Sequence, residues 1–243
     1  MTLFIQLLLA HLIGDFILQP TFMVVHKQQR KLRSHWLYIH CIIHGLVSFA
    51  LVADPAFWMG ALAIMASHLI IDAAKLIFTT SNNERNWFFA DQLLHIAAIA
   101  VVFLCFQPET KEEIRSWLWV HKDLNLLLVF CALFLTTPAS IIIKVIISRW
   151  APMISRIGNP AEDDSLLSAG KYIGMLERLF VFGFIISGHF EATGFLLAAK
   201  SIFRFGDLRN SGDRKLTEYV LIGTLVSFGI AMLTGILFLE LLS

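Results

Sequence analysis

Charge is scarce in this chain. Asp, Glu, Lys and Arg make up 15% of its 243 residues, against roughly 25% in an ordinary soluble domain. Hydrophobic residues reach 57% and the mean hydropathy is +0.73. That composition excludes disorder and argues against a water-soluble globule; it is the composition of a polytopic membrane protein. A formal net charge of +1 gives no reason to expect a nucleic-acid partner. Cysteine is sparse too. Cys41, Cys105 and Cys131 each sit inside an apolar run at no metal-ligand spacing, so they read as small hydrophobes and not as a disulfide framework. No P-loop, nucleophile elbow or Cys-x-x-Cys pair is present, and there is no low-complexity segment. The first apolar run has neither the basic n-region nor the small-x-small cleavage site of a signal peptide, and is read as a mature helix.

Long apolar runs are what the chain does have. Crossing roughly 30 Å of hydrocarbon takes about 20 residues. The candidate segments are Thr2–Gln19, His35–Ala53, Ala56–Phe78, Trp87–Phe106, Leu124–Arg149, Lys171–Gly188, Phe190–Phe205 and Leu216–Leu242. The expected fold is therefore all-α, a polytopic transmembrane helical bundle of about eight helices. The sixth and seventh are short and meet at Ser187-Gly188-His189, as a tight hairpin or a re-entrant pair. Pro138 predicts a kink in the fifth. The chain divides into a His/Asp-rich four-helix membrane domain (1–106), an outer loop (107–123) and C-terminal membrane helices with a charged cluster (124–243). The loop carries Ile114, Trp117, Leu118 and Val120 and is expected to lie as an amphipathic helix along the outer surface.

The basic residues segregate. Lys27, Arg30, Lys31 and Arg33 follow the first segment, Arg85 the third, Arg149, Arg156 and Lys171 the fifth, and Arg204, Arg209, Arg214 and Lys215 the seventh. The positive-inside rule puts these in the cytoplasm and both termini outside. The expected location is the cytoplasmic (inner) membrane, crossed many times, with membrane lipids as partners.

His and Asp recur in the first four helices. The first carries His11 and Asp15 and the third His68 and Asp72; the second carries His40 and His44 and the fourth Asp91 and His95. A spacing of four puts both side chains of a pair on one helical face. Counted from the cytoplasmic boundary, Asp15, His40, Asp72 and Asp91 lie roughly 6–9 Å deep, and His11, His44, His68 and His95 roughly 12–15 Å, at 1.5 Å per residue. The two-helix unit occurs twice, as an internal repeat with a site between its halves. Carboxylates at such depth are costly unless paired or solvated. Imidazole and carboxylate together suit a divalent metal, Zn, Mn or Fe, and inward-facing ligands on four helices follow the logic of di-metal bundles. Structural His–Asp pairing that joins helices and a proton or ion path are the competing explanations. Gln19 and Gln92 are placed to orient a ligand. Lys75, three residues after Asp72, is a snorkelling cation or ion-pair partner, or a clamp on an anionic substrate.

The stretch Ala10-His11-Leu12-Ile13-Gly14-Asp15-Phe16-Ile17-Leu18-Gln19-Pro20 resembles the opening signature of a bacterial multi-pass membrane family of unknown function. Ser67-His68-Leu69-Ile70-Ile71-Asp72 and Asp91-Gln92-Leu93-Leu94-His95 resemble its later signatures. Residues 170–178, 199–206 and 218–224 resemble segments of its longer members. That resemblance implies a membrane fold and no particular activity. More distantly, the His-x-x-x-Asp helices are similar to those of membrane-bound metal-dependent hydrolases, which raises hydrolysis above other metal chemistry by analogy.

In the second half, Glu177, Arg178, Lys200 and Arg204 fall at similar depth. They form either an internal ion-pair network, Glu177 with Lys200 for example, or a pocket for a phosphate or other anion. The expected function is a metal-dependent hydrolase with an intramembrane site near the cytoplasmic leaflet, acting on a lipid-linked, amphiphilic or phosphorylated substrate. In it His11, His40, His44, His68 and His95 are ligands, and Asp15, Asp72 and Asp91 are ligands or general base. A metal-ion or proton-coupled transporter and a non-enzymatic scaffold are the alternatives. Few polar groups lie above the His layer, which favours a dead-end site over a path.

Overall fold

A computed structural model describes residues 2–106, 124–150, 160–204 and 213–242. The loop 107–123, with its expected amphipathic helix and with His121, lies outside the described residues, and all described elements are helical. The chain separates into two compact units, Met1–Phe130 and Cys131–Ser243.

In the first unit α1 (Thr2–Leu12) continues into a π-helical turn, Ile13–Ile17. Gln19-Pro20 ends it, since Pro20 has no N–H to continue the ladder. The helix α2 (Thr21–Arg30) then leaves with a bend of 82°. A 3-10 turn at Lys31–Arg33 leads to α3 (His35–Val52), followed by α4 (Trp58–Phe78) and α5 (Glu84–Phe106). The connections follow local turn chemistry. Ala56 N–H donates to Asp54 Oδ1, with Pro55 opening the 3-10 turn that feeds α4. Asn83 accepts from Thr80 N–H and donates to Phe78 O, which closes α4.

The helices α1, α3, α4 and α5 form a ring in which α1 packs on α3 and α5, and α4 packs on the same two. One end of its interior is dry, filled by Leu3, Leu7, Phe57, Ala61, Ile64, Ile99, Val102 and Phe103. The outward faces are apolar as well: Leu46, Leu62, Ile70, Leu93 and Val101 are 48–69% exposed. A bundle that shows leucine outward and gathers histidine inward is built for lipid. Four stretches, His35–Val52, Pro55–Phe78, Glu84–Phe106 and Glu218–Glu240, are long and apolar enough to cross a membrane. The number rises to six if each bent pair, Leu3–Ile17 with Thr21–Arg33 and Leu124–Phe134 with Thr137–Trp150, is one span. The described residues thus support a membrane helical bundle with four to six spans, where the hydropathy pattern predicts about eight.

The second unit takes in the end of α6 (Leu124–Phe134), then α7 (Thr137–Ile147), α8 (Pro160–Ile186), α9 (Phe190–Arg204) and α10 (Asp213–Glu240). The kink expected at Pro138 is a break of 41° between α6 and α7. The helix α10 packs on α7 and α8, and α9 on α8, with Phe182 edge-on to Phe238. A tight turn joins α8 to α9. Gly188 adopts φ +78°, His189 N–H donates to Phe184 O and Gly188 N–H to Ile185 O, the bonding of a Schellman stop that favours glycine. At 15 residues, α9 is about 22 Å long, short of a full span.

Candidate metal centre

The ring of α1, α3, α4 and α5 brings the eight His and Asp residues together. His11, His40, His44, His68, Asp72, Asp91 and His95 are at most 5% exposed, and the Asp15 side chain is 11% exposed. Asp15 stands at the centre. Its Oδ1 lies 3.1 Å from both His40 Nε2 and His44 Nε2 and 3.6 Å from His68 Nε2; its Oδ2 lies 3.7 Å from His11 Nε2. Asp15 belongs to the π-helical turn, an insertion that re-aims side chains and is frequent at functional sites. The preceding residue makes room for the partner helix. A Cβ on Gly14 would come within 2.4 Å of the His44 ring.

The imidazoles stack across the ring. His44 and His68 are 3.7 Å apart between centroids, His68 and His95 4.1 Å, and His11 and His95 5.1 Å. His40 lies 4.6 Å from His44 and 4.9 Å from His68. His11, His44, His68 and His95 line one small cavity with Ser48 and Ser67, closed toward the dry end by Leu7, Ile64 and Ile99.

Hydrogen bonding leaves conspicuous gaps. His95 Nδ1 donates to Asp91 O at 2.8 Å, which leaves Nε2 a bare lone pair, and that atom is buried without a partner, as are Asp91 Oδ1 and His40 Nδ1. Conversely, His40 Nε2 is crowded: Gln19 Nε2 at 2.8 Å, Asp15 Oδ1 at 3.1 Å and His68 Nε2 at 3.1 Å. One ring nitrogen offers one proton or one lone pair, so it cannot satisfy all three. Among the described residues, three groups have ligand atoms within 4.8 Å of one another and could hold a metal ion: His11, Asp15, His44 and His68; His40, His68 and Asp72; and Asp15, Asp91 and His95. Their union is the set that the spacing of four singled out.

Two lysines complete the site. Lys75 Nζ donates to Asp91 Oδ2 at 2.7 Å, as expected for an ion-pair partner, and its side chain stays 35% exposed. Lys27, which falls in a run of basic residues expected at the surface, is instead buried and donates to Asp72 Oδ2 at 2.7 Å. Gln92 Nε2 lies 3.2 Å from both Asp15 Oδ2 and Asp91 Oδ2. On formal charges, with histidine counted neutral, three carboxylates face two ammonium groups and one negative charge is left over.

The charged residues of the second unit fall into two arrangements. Lys200 Nζ donates to Glu177 Oε2 at 2.5 Å. Arg178, 4% exposed, turns elsewhere: Nε donates to Leu135 O at 2.6 Å, Nη2 to Thr136 O at 3.0 Å and Ser140 Oγ at 2.5 Å, and Nη1 to Ser227 Oγ at 3.2 Å. Its fork caps the carbonyls at the α6–α7 break. The Arg204 side chain lies outside the described residues.

A bundle of lipid-facing helices around a buried His/Asp cluster defines an integral membrane protein with a candidate metal centre. Residues 3–124 match the family described as protein of unknown function (DUF3307), and the chain belongs to that family. The matched residues include the whole cluster, with Lys27 and Lys75. No curated protein and no solved structure matches the chain.

Proposed function

We propose that the first unit is a divalent-metal centre, and that the protein is a metal-dependent hydrolase of amphiphilic, phosphorylated substrates in the bacterial cytoplasmic membrane. The observation that carries this is the spacing of nitrogen and oxygen around Asp15. One ligand atom from each of His11, Asp15, His44 and His68 lies within 4.8 Å of the others, and three of the four residues are buried, the donor set and closeness a divalent ion needs. An ion held by His11, Asp15, His44 and His68, with one further position left for water, would also meet the uncompensated charge and relieve the crowding at His40. Zn, Mn and Fe suit this donor set.

A divalent ion there supplies Lewis acidity and lowers the pKa of water. The chain supplies the rest. Asp91, with Oδ1 unpartnered, is placed to take a proton. His95 is oriented by its bond to Asp91 O. Lys75, part-exposed, offers an ammonium to an anionic group. The apolar end argues against a transporter, because an ion leaving the imidazoles that way would meet Leu3, Leu7, Phe57 and Phe103. In mixed micelles, hydrolysis of an alkyl phosphoester should stop with chelator and return with metal, and Asp91→Asn should slow it about 100-fold with metal content unchanged. Turnover insensitive to both would overturn the hydrolase.

A further inference from the structure

Lys27 has no part in that chemistry, yet it is buried in a membrane protein. Its side chain is 8% exposed, against 35% for Lys75. It arrives on α2, the helix turned back at Pro20, of which only Met23 and Lys27 are buried. An ammonium is carried to such a place only with a partner, and the partner is Asp72, 2.7 Å away. Asp72 is also the carboxylate of a complete ligand set. His40 Nε2 and His68 Nε2 each lie 4.0 Å from an Asp72 oxygen and 3.1 Å from one another. All three residues are buried, with donor atoms inside one 4.8 Å group. The ammonium therefore supplies to this set the positive charge that an ion would otherwise bring.

We propose that His40, His68 and Asp72 form a second, latent divalent-metal site, and that the Lys27 ammonium keeps it shut by holding Asp72. This rests on the metal reading of the Asp15 group and adds to it that the native centre holds one ion because a lysine stands in for the other. With two ions bound, His68 serves the second, and His11, Asp15 and His44 serve the first. Three protein ligands with an open position suffice for a catalytic ion. Without Lys27 the uncompensated charge of the cluster rises by one, and a second cation offsets it.

The test is metal content by elemental analysis of tag-free full-length protein equilibrated with Zn. Lys27→Met removes the charge. Lys27→Gln removes it and keeps a donor for Asp72, and so guards against loss of fold. Both should raise bound Zn from about one to about two ions per chain, and Lys27→Arg should leave it at about one. Adding Asp72→Asn to Lys27→Met should return it to about one. If both neutral variants bind the same single ion as wild type, or if the second ion persists without the Asp72 carboxylate, the latent site is refuted and the native centre stands. If wild type binds none, the native centre fails and the latent site with it.

Discussion

Arg178→Ala should destabilise the second unit by about 3–5 kcal/mol, the usual cost of breaking a buried, fully bonded charge network by removing one partner. Pro138 breaks the span between α6 and α7, and Arg178 reaches the carbonyl of Leu135 and that of Thr136, which also accepts from Ser140 N–H. In hydrocarbon no water can replace the lost donors. The guanidinium reaches Leu135 O, Thr136 O, Ser140 Oγ and Ser227 Oγ at once, so it ties the break to α8 and α10. Lysine, with a compact ammonium in place of a planar fork, cannot reach both sides, and Arg178→Lys should recover little. Thermal unfolding in detergent, followed by circular dichroism and by size-exclusion profile, measures this. An Arg178→Ala protein as stable as wild type would show the guanidinium to be dispensable.

Gly14→Ala should weaken binding of a divalent ion about 10- to 100-fold, the usual cost of disturbing the groups that orient a ligand, and leave helix content unchanged. The backbone at Gly14 is helical, so alanine brings no conformational strain of its own. The damage is steric: the added Cβ meets the His44 ring at 2.4 Å, and the ring must leave its place beside Asp15 and His68. Gly183→Ala is the matched control, since nothing lies within 4 Å of a Cβ there. Competition against a chromophoric chelator reads both affinities. Equal affinities in the two variants would detach His44 from the ion.

The cluster was legible because helical geometry is periodic. Pairs four apart at matched depth on antiparallel segments need no tertiary knowledge to be placed on one interior face. Pro138 and Ser187-Gly188-His189 were legible as backbone chemistry. The π-helical turn was not, since nothing in Ile13-Gly14-Asp15-Phe16-Ile17 distinguishes it from a further α-turn until His44 is seen against Gly14. Lys27 was hidden among Arg30, Lys31 and Arg33, where a buried lysine and a solvated one look alike; only the fold-back of α2 onto the bundle separates them. Arg178 illustrates a third failure. Depth alone groups it with Glu177, but neighbours in a helix point about 100° apart, so Glu177 faces Lys200 on α9 while Arg178 faces the α6–α7 break and α10.

The most direct test of the metal centre is the divalent-ion content of full-length protein purified without a histidine tag, compared among wild type, His68→Ala and His189→Ala. His68 is 2% exposed and takes part in two of the three ligand groups; His189 is 67% exposed at its side chain and belongs to the second unit. Wild type and His189→Ala should each hold about one ion per chain, and His68→Ala, left with three of the four ligands, should bind it at least about tenfold more weakly and retain clearly less. Substoichiometric metal in wild type whatever divalent ion is supplied, or equal content in the two variants, would contradict a metal centre and leave the cluster as hydrogen-bonded contact between helices.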